Sequence, residues 1–418
     1  MTSDAAPVTT ETPAPDRDRR RYLIASGVAL WGAQLAVVAV PLTAVTELSV
    51  DARGTALLTA TTAVAFMVLG LPVGAWLDRV RRRPVMITAD LVRAATLATV
   101  PFADWLDALT FTHLWLVVAV NGIATVFFDL GTQSHLKDLA PADQLVRMNG
   151  RLATLTQTAL ICAPPLAGWA AGILTPAVVL AVTSAGYLWS ATWLSRLRTP
   201  EPARARSAER RHIASDIRDG VVFVWRQPVL LTVLGSGCLV NFGIAAVTAV
   251  LPVYALDDLG WSPAQLGLYL GAGGVGGLAG AMTAERVARR LGVGPSLLVI
   301  GLVLCPVAAL LPMTGSLVPG PIAALAWSLV LYKVGFDSVL MMSFRQAVTP
   351  SYLLGRVNGT MRVLLTGAVA LGAGCAGAAA GVFGTSGSII VAAVALGLAW
   401  VPVAVSPVSR MVALDGQS

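Results

Sequence analysis

Long apolar runs, broken at short intervals by arginine clusters or by proline and glycine, dominate the chain. A helix needs about 20 apolar residues to cross the hydrocarbon core of a bilayer. Twelve such runs are found, at 22–46, 55–77, 85–103, 112–134, 152–173 and 177–195, then at 228–252, 265–284, 293–313, 320–344, 360–383 and 386–406. The first 21 residues are polar and rich in Pro, Thr and Arg, without the apolar core of a signal peptide. The run from Tyr22 is therefore expected to be an uncleaved first span after a disordered tail. Between the sixth and seventh runs, Ile213, Ile217, Val221, Val222 and Val224 recur at helical spacing, which predicts an amphipathic surface helix within a linker. The expected organisation is a tail over 1–21, a six-helix bundle over 22–196, the linker over 197–227, a second six-helix bundle over 228–406 and a tail over 407–418.

Composition narrows the class. Hydrophobic residues make up 56% of the 418 and charged ones 12%, against about 25% charged in a soluble domain. This is an all-α integral membrane protein with no room for a large catalytic domain outside the bilayer, and the lipid is its first partner. The formal charge of +7 invites a nucleic-acid reading until the basic residues are located. They cluster at Arg17 to Arg21, Arg79 to Arg83, Lys137 to Arg151, Arg196 to Arg226, Arg286 to Arg290 and Arg345 to Arg362, in connections on one side. The other connections carry almost no basic residues and hold Glu47, Asp51 and Arg53, then Asp104 and Asp107, then Asp257 and Asp258. Lys and Arg mark the cytoplasmic side, so both termini are expected inside and no nucleic-acid partner is implied. Cys162, Cys238, Cys305 and Cys375 lie singly in four apolar runs, and His113, His135 and His212 have no ligand spacing. Neither a metal site nor a cofactor is expected. With two lysines in the chain there is no phosphate-binding loop, so ATP is not expected to drive the protein, and no catalytic constellation points to an enzyme.

The halves match each other at an offset of 207 to 211 residues. Gly32 and Pro41 pair with Gly243 and Pro252. Asp78, Arg79, Arg82 and Arg83 pair with Glu285, Arg286, Arg289 and Arg290. Phe128 and Asp129 pair with Phe336 and Asp337, and Pro141, Arg147, Asn149 and Gly150 with Pro350, Arg356, Asn358 and Gly359. Because each half has an even number of spans, both copies share one orientation and the repeat axis runs along the membrane normal, with a substrate path between the halves.

The segment Gly74-x-x-x-Asp78-Arg79-x-x-Arg82-Arg83, followed by Pro84, resembles the loop motif between spans two and three of the major facilitator superfamily. The repeat extends this resemblance over nearly the whole chain. Arg81 stands where the motif usually has glycine, and the second copy has Ala281 for the leading glycine and Glu285 for the aspartate. A small residue at Gly74 permits close helix approach. The resemblance implies a charge relay of Asp78, Arg82 and Asp129 that latches the outward-facing state, echoed by Glu285, Arg289 and Asp337; the alternative is that the arginines, Arg81 and Arg83 above all, only set topology. In span five, Ala163, Pro164, Pro165 and Gly168 resemble the proline–glycine motif of the superfamily's exporters, and span eight answers with a glycine stripe from Gly271 to Gly280. The string Phe127-Phe128-Asp129 with Pro141, Arg147, Asn149 and Gly150 further resembles the enterobactin-exporter-like and macrolide-efflux branch.

In that fold spans one, four, seven and ten line the cavity, and each has a polar residue near its middle: Gln34, Asn121, Asn241, and Tyr332 with Lys333. These are either substrate contacts or interhelical hydrogen-bond partners. Lys333 and Asp337 stand i, i+4 and can pair, and charges at this depth commonly mark function. Asp129, Asp337, Lys333, Asp90 and Arg93 are the candidates for proton coupling; for Asp90 and Arg93, i, i+3 in span three, a local ion pair is the other reading. The expected function is proton-driven export of a hydrophobic or amphipathic small molecule by a monomeric secondary transporter of the bacterial cytoplasmic membrane. The alternatives are a siderophore exporter, with Lys333 and Arg93 meeting an anionic substrate, or a receptor-like protein that keeps the fold without transport.

Overall fold

The computed structural model describes residues 16–77, 79–139, 142–199, 213–350 and 353–411. Helices account for nearly all of it: α1 (Asp16–Thr46), α2 (Ala52–Leu77), α3 (Arg82–Trp105), α4 (Phe111–Leu139), α5 (Ala142–Ile173), α6 (Pro176–Ser195), α7 (Ile213–Arg226), α8 (Pro228–Val253), α9 (Pro263–Leu291), α10 (Val293–Leu304), α11 (Gly320–Val348) and α12 (Leu354–Gly397). Among the described residues, ten helices are long and apolar enough to span a bilayer. One of the ten is the stretch Leu354–Ala404, 51 residues long, which doubles back at Gly384 where φ is +72°. That left-handed backbone favours glycine, and it divides α12 into two crossing limbs. With α5, 32 residues long but diluted in hydropathy by Gln157, Pro164, Pro165 and its glycines, the crossings number twelve. Large apolar side chains point outward, among them Val182, Leu371 and Val405, which is 80% exposed. Such a surface is stable only against lipid.

The internal repeat is visible in the packing. Gly32 of α1 lies against α6, where an added Cβ would be 3.4 Å from the Tyr187 ring. Its counterpart Gly243 of α8 lies against the second limb of α12, where an added Cβ would be 3.1 Å from the Ala392 carbonyl oxygen. The first helix of each half thus rests on the sixth through an equivalent glycine. The ninth crossing ends irregularly: α10 passes into a 3₁₀ segment, Cys305–Met313, where Pro306 and Pro312 remove backbone donors.

Several helices extend past the spans read from sequence, α5 most of all, which begins at Ala142 rather than near residue 152, and for two of these differences the structure shows a cause. Helix α1 starts at Asp16, so residues 16–21, expected in the disordered tail, are helical. The cause is Asp18, which is 1% exposed and accepts hydrogen bonds from the backbone N–H groups of Arg198 and Thr199, each at 2.7 Å. These donors just past the end of α6 need a partner, and the carboxylate supplies it. The other difference is α12, which begins at Leu354 rather than near residue 360. Its extra turn carries α7: Gly220 is so close that an added Cβ would be 2.8 Å from the Arg356 carbonyl oxygen, and Val224 is fully buried there. The linker helix is seated on the second half.

Candidate functional site

The two halves meet along two seams. Helix α2 runs beside the first limb of α12, where Arg53 donates from Nη2 to the Gly381 carbonyl oxygen at 2.8 Å. Helix α5 runs beside α9, and here the span-five motif acts. Gly168 lies against the backbone of Pro263 and Gly267, and Gly267 against the Pro164 carbonyl. At Gly271 an added Cβ would be 2.6 Å from Pro165 Cγ. Other glycines of α9 serve the opposite face, where Gly276 and Gly280 sit on the backbone of α11 at Ser328 and Tyr332. The glycine stripe therefore holds α9 between α5 of the first half and α11 of the second, at separations only small residues allow.

Between the halves lies a cavity of about 420 Å³, within the size range of small-molecule sites. Its wall is drawn from α1, α2, α3, α4 and α6 of the first half and α8, α9 and α12 of the second. Most of it is apolar; the polar groups are Thr59, Thr62, Asn121, Thr125, Thr248 and Thr366, with the Tyr187 phenol. Among the described residues none that lines it is charged. Of the four mid-span polar positions expected to line a cavity, only Asn121 does so. Gln34 is outside the lining. Asn241 donates from Nδ2 to the Gly237 carbonyl of its own helix at 2.8 Å, and the Tyr332 hydroxyl is 2.6 Å from Thr283 Oγ1, tying α11 to α9. The lining threonines give no periodic polar signal in the sequence, and the hydroxyls of Thr59, Thr62 and Thr248 return to the helix backbone, that of Thr248 donating to the Ile244 carbonyl at 2.9 Å.

Lys333 and Asp337 form an ion pair, Nζ to Oδ2 at 2.6 Å, but not in the central cavity. They are 4% and 6% exposed, and Lys333 faces Val240, Cys305, Ala308 and Leu396 inside the second half. An i, i+4 spacing fixes which side chains meet, not which way the helix is turned.

Asp90 and Arg93 are also paired and buried, at 0% and 1% exposure. The Arg93 guanidinium lies between two rings, with Cζ 4.1 Å from the Phe128 centroid and 4.2 Å from that of Tyr187. Asp129, next to Phe128, is in the electrostatic reach of Arg93 and of Arg362 from α12. Arg362 in turn stands over the Phe66 ring of α2, 5.4 Å from its centroid. Phe66 and Tyr187 both line the cavity, so each of its two large rings has a guanidinium over it.

The loop motif is only partly assembled. Asp78 lies outside the described residues. Among the described residues nothing lies within 4 Å of a Cβ added at Gly74, so none of them approaches it closely. Arg79 is exposed. Arg82 donates to the Ser134 carbonyl on α4, and Arg83 to the Leu194 carbonyl at 2.9 Å and to that of Ser195, placing its positive charge on the C-terminal end of α6. The second copy does not come together: Glu285 and Arg289 form an exposed pair at 2.9 Å, Arg286 is exposed, and Asp337 is held by Lys333 instead. Among the described residues no cluster of His, Cys, Asp and Glu could hold a metal ion.

Two pseudosymmetric six-helix halves around a shared apolar cavity define a multi-pass membrane transporter. The chain belongs to the Major Facilitator Superfamily, whose family model matches residues 22–373. Relatives include Macrolide efflux protein A of Streptococcus pyogenes, 22% identical over 312 residues that make up 73% of this chain and 76% of the relative. The Multidrug efflux pump Tap of Mycobacterium tuberculosis is 26% identical over 317 residues, 72% of this chain and 73% of that one. Among solved structures, a bacterial homologue of the iron transporter ferroportin in an inward-facing state superimposes with a TM-score of 0.73 at 18% identity, covering 93% of this chain and 98% of the other. The nucleoside transporter NupG gives 0.72 at 13% identity, covering 93% and 99%. These structures share the fold.

Proposed function

We propose that this protein exports an amphipathic small molecule across the bacterial cytoplasmic membrane by alternating access, with its arginine-rich face and both termini in the cytoplasm. The observation that carries this is the apolar cavity built from both halves, since rocking one half against the other would expose its contents to each side in turn. Similarity to proteins named as efflux pumps supports the outward direction. The glycine seam between α5 and α9 supplies a smooth surface on which the halves slide, and Arg82 and Arg83 brace the ends of α4 and α6 as the loop moves.

For coupling to inward proton flow, Asp129 is the favoured carboxylate. It lies near Phe128 in the first half and within reach of Arg362 from the second, so a change in its charge alters an attraction between halves. Asp337 is enclosed with Lys333 in one half and serves the packing of α11. The siderophore reading needed cationic contacts from Lys333 and Arg93, and neither lines the cavity. The test is transport by the purified protein in liposomes with an imposed pH gradient, over a panel of antibiotics and other amphiphiles. Gradient-dependent movement by wild type, lost in Asp129→Asn, is the expected result. A protein that binds panel compounds yet moves none of them would favour the receptor-like alternative.

A further inference from the structure

The cavity wall carries donors that no protein group completes, for among the described residues the Thr125 and Thr366 hydroxyls that line it have no hydrogen-bond partner. Asn121, also in the lining, adds a third, since its Nδ2 is buried without a hydrogen-bond partner among the described residues. Such a group is costly unless something else completes it. Around it, Thr59, Thr62 and Thr248 have already given their hydroxyl protons to the carbonyls of Thr55, Leu58 and Ile244, at 3.2, 3.4 and 2.9 Å. What they retain is acceptor capacity.

Charge is excluded by the same wall. A cationic ligand would find no carboxylate among the described lining residues. The rings that could attract it, Phe66 and Tyr187, already hold Arg362 and Arg93, and a ring with a guanidinium on one face offers less negative potential to a second cation. An anionic ligand would find neither guanidinium in the wall, with Arg93 buried and bound to Asp90. Either ion would give up its hydration in an apolar enclosure without a counter-charge.

We infer that the cavity selects an uncharged amphipathic molecule bearing carbonyl and hydroxyl oxygens, with the Asn121 amide and the Thr125 and Thr366 hydroxyls donating to substrate acceptors and the oxygens of Thr59, Thr62 and Thr248 accepting from substrate hydroxyls. This rests on the cavity being the transport site. Asn121 then acts as a specificity-determining residue, chosen by its unpaired donor rather than by its depth in the membrane.

Binding to the purified full-length protein in detergent micelles tests this independently of flux. The probes are chloramphenicol and a set of uncharged steroids and macrolactones, set against tetraphenylphosphonium, a permanent cation, and read by tryptophan fluorescence and thermal stabilisation. Wild type is expected to bind uncharged members and to bind tetraphenylphosphonium more weakly. Asn121→Leu should weaken the uncharged probes by about tenfold, the effect of one lost hydrogen bond in a dry site. Asn121→Asp should gain affinity for tetraphenylphosphonium. Thr248→Val supplies a second reading should Asn121→Leu not purify as a single species, and is expected to weaken hydroxyl-bearing probes. The inference is overturned if tetraphenylphosphonium binds wild type as tightly as the best uncharged probe, if no uncharged probe binds, or if neither Asn121→Leu nor Thr248→Val changes affinity. Binding in the expected pattern without movement in liposomes would sink the export reading and leave the charge selection standing; movement of cations alone would do the reverse.

Discussion

Arg93 of α3 and Tyr187 of α6 stack with the guanidinium carbon 4.2 Å from the ring centroid, and Tyr187 is part of the cavity wall. The Asp90–Arg93 pair therefore does more than neutralise two charges in one helix. It fixes a cavity residue from behind, and through Phe128 it ties α3 to the element that carries Asp129.

Removing Arg93 should be severe. Arg93→Met leaves Asp90, 0% exposed, without its counter-charge, and a loss of about 3–5 kcal/mol is expected for a broken buried pair. The double variant Asp90→Asn with Arg93→Met should recover much of it, because no isolated charge then remains. Thermal unfolding in micelles of both variants and wild type checks this; equal loss in both would remove the pair from the account.

The seam between α5 and α9 makes a different demand. Gly168→Leu places a branched side chain against the backbone of Pro263 and Gly267, and each half can fold around it while the halves cannot close. Most of the gradient-dependent flux should disappear with the secondary structure retained, as circular dichroism and liposome transport would report. Gly172→Ala, at a position where an added Cβ meets nothing within 4 Å, should leave flux near wild type.

Lys333 and Asp337 give a stability prediction with a transport control. Lys333→Met alone should destabilise by about 3–5 kcal/mol, since it strands a buried carboxylate. Lys333→Met with Asp337→Leu should regain stability and, if Asp129 rather than Asp337 carries the proton, should still transport with a pH dependence like that of wild type. Loss of gradient dependence in a stable double variant would transfer the coupling role to α11.

Glu285 and Arg289 are exposed by 74% and 66% along their side chains. Solvent screens such a pair, and Glu285→Gln is expected to change stability by no more than about 0.5 kcal/mol. A large fall in flux for this variant would restore the second copy of the loop motif to the mechanism.

Much of the fold was legible because lipid imposes one strong condition: a crossing must be apolar and must satisfy its own backbone. That condition writes the helices into the chain as runs of fixed length, and it writes orientation into the arginines between them. The doubling of the sequence was legible for a related reason, since Gly32 and Gly243 must each admit a neighbouring helix at the same point of the fold. The paired motifs Phe128-Asp129 and Phe336-Asp337 show where this stops. They repeat in sequence, yet Asp129 is in reach of arginines from two other helices and Asp337 meets a lysine of its own helix.

The sequence by itself thus determined what each segment is: its length, its solvent, its handed-on repeat, and the glycines and prolines that permit close packing, all of them properties local to a few turns of helix. Only the tertiary structure decided which way each helix face is turned, and with it that Lys333 looks into its own bundle, that Gln34 and Asn241 are outside the cavity lining, and that threonines with Asn121 make up most of the cavity's polar surface. The physical reason is that rotation about a helix axis is set by the packing of its neighbours. In a membrane both faces of a span are apolar, so the polar–apolar contrast that reveals the buried face of a soluble helix is missing.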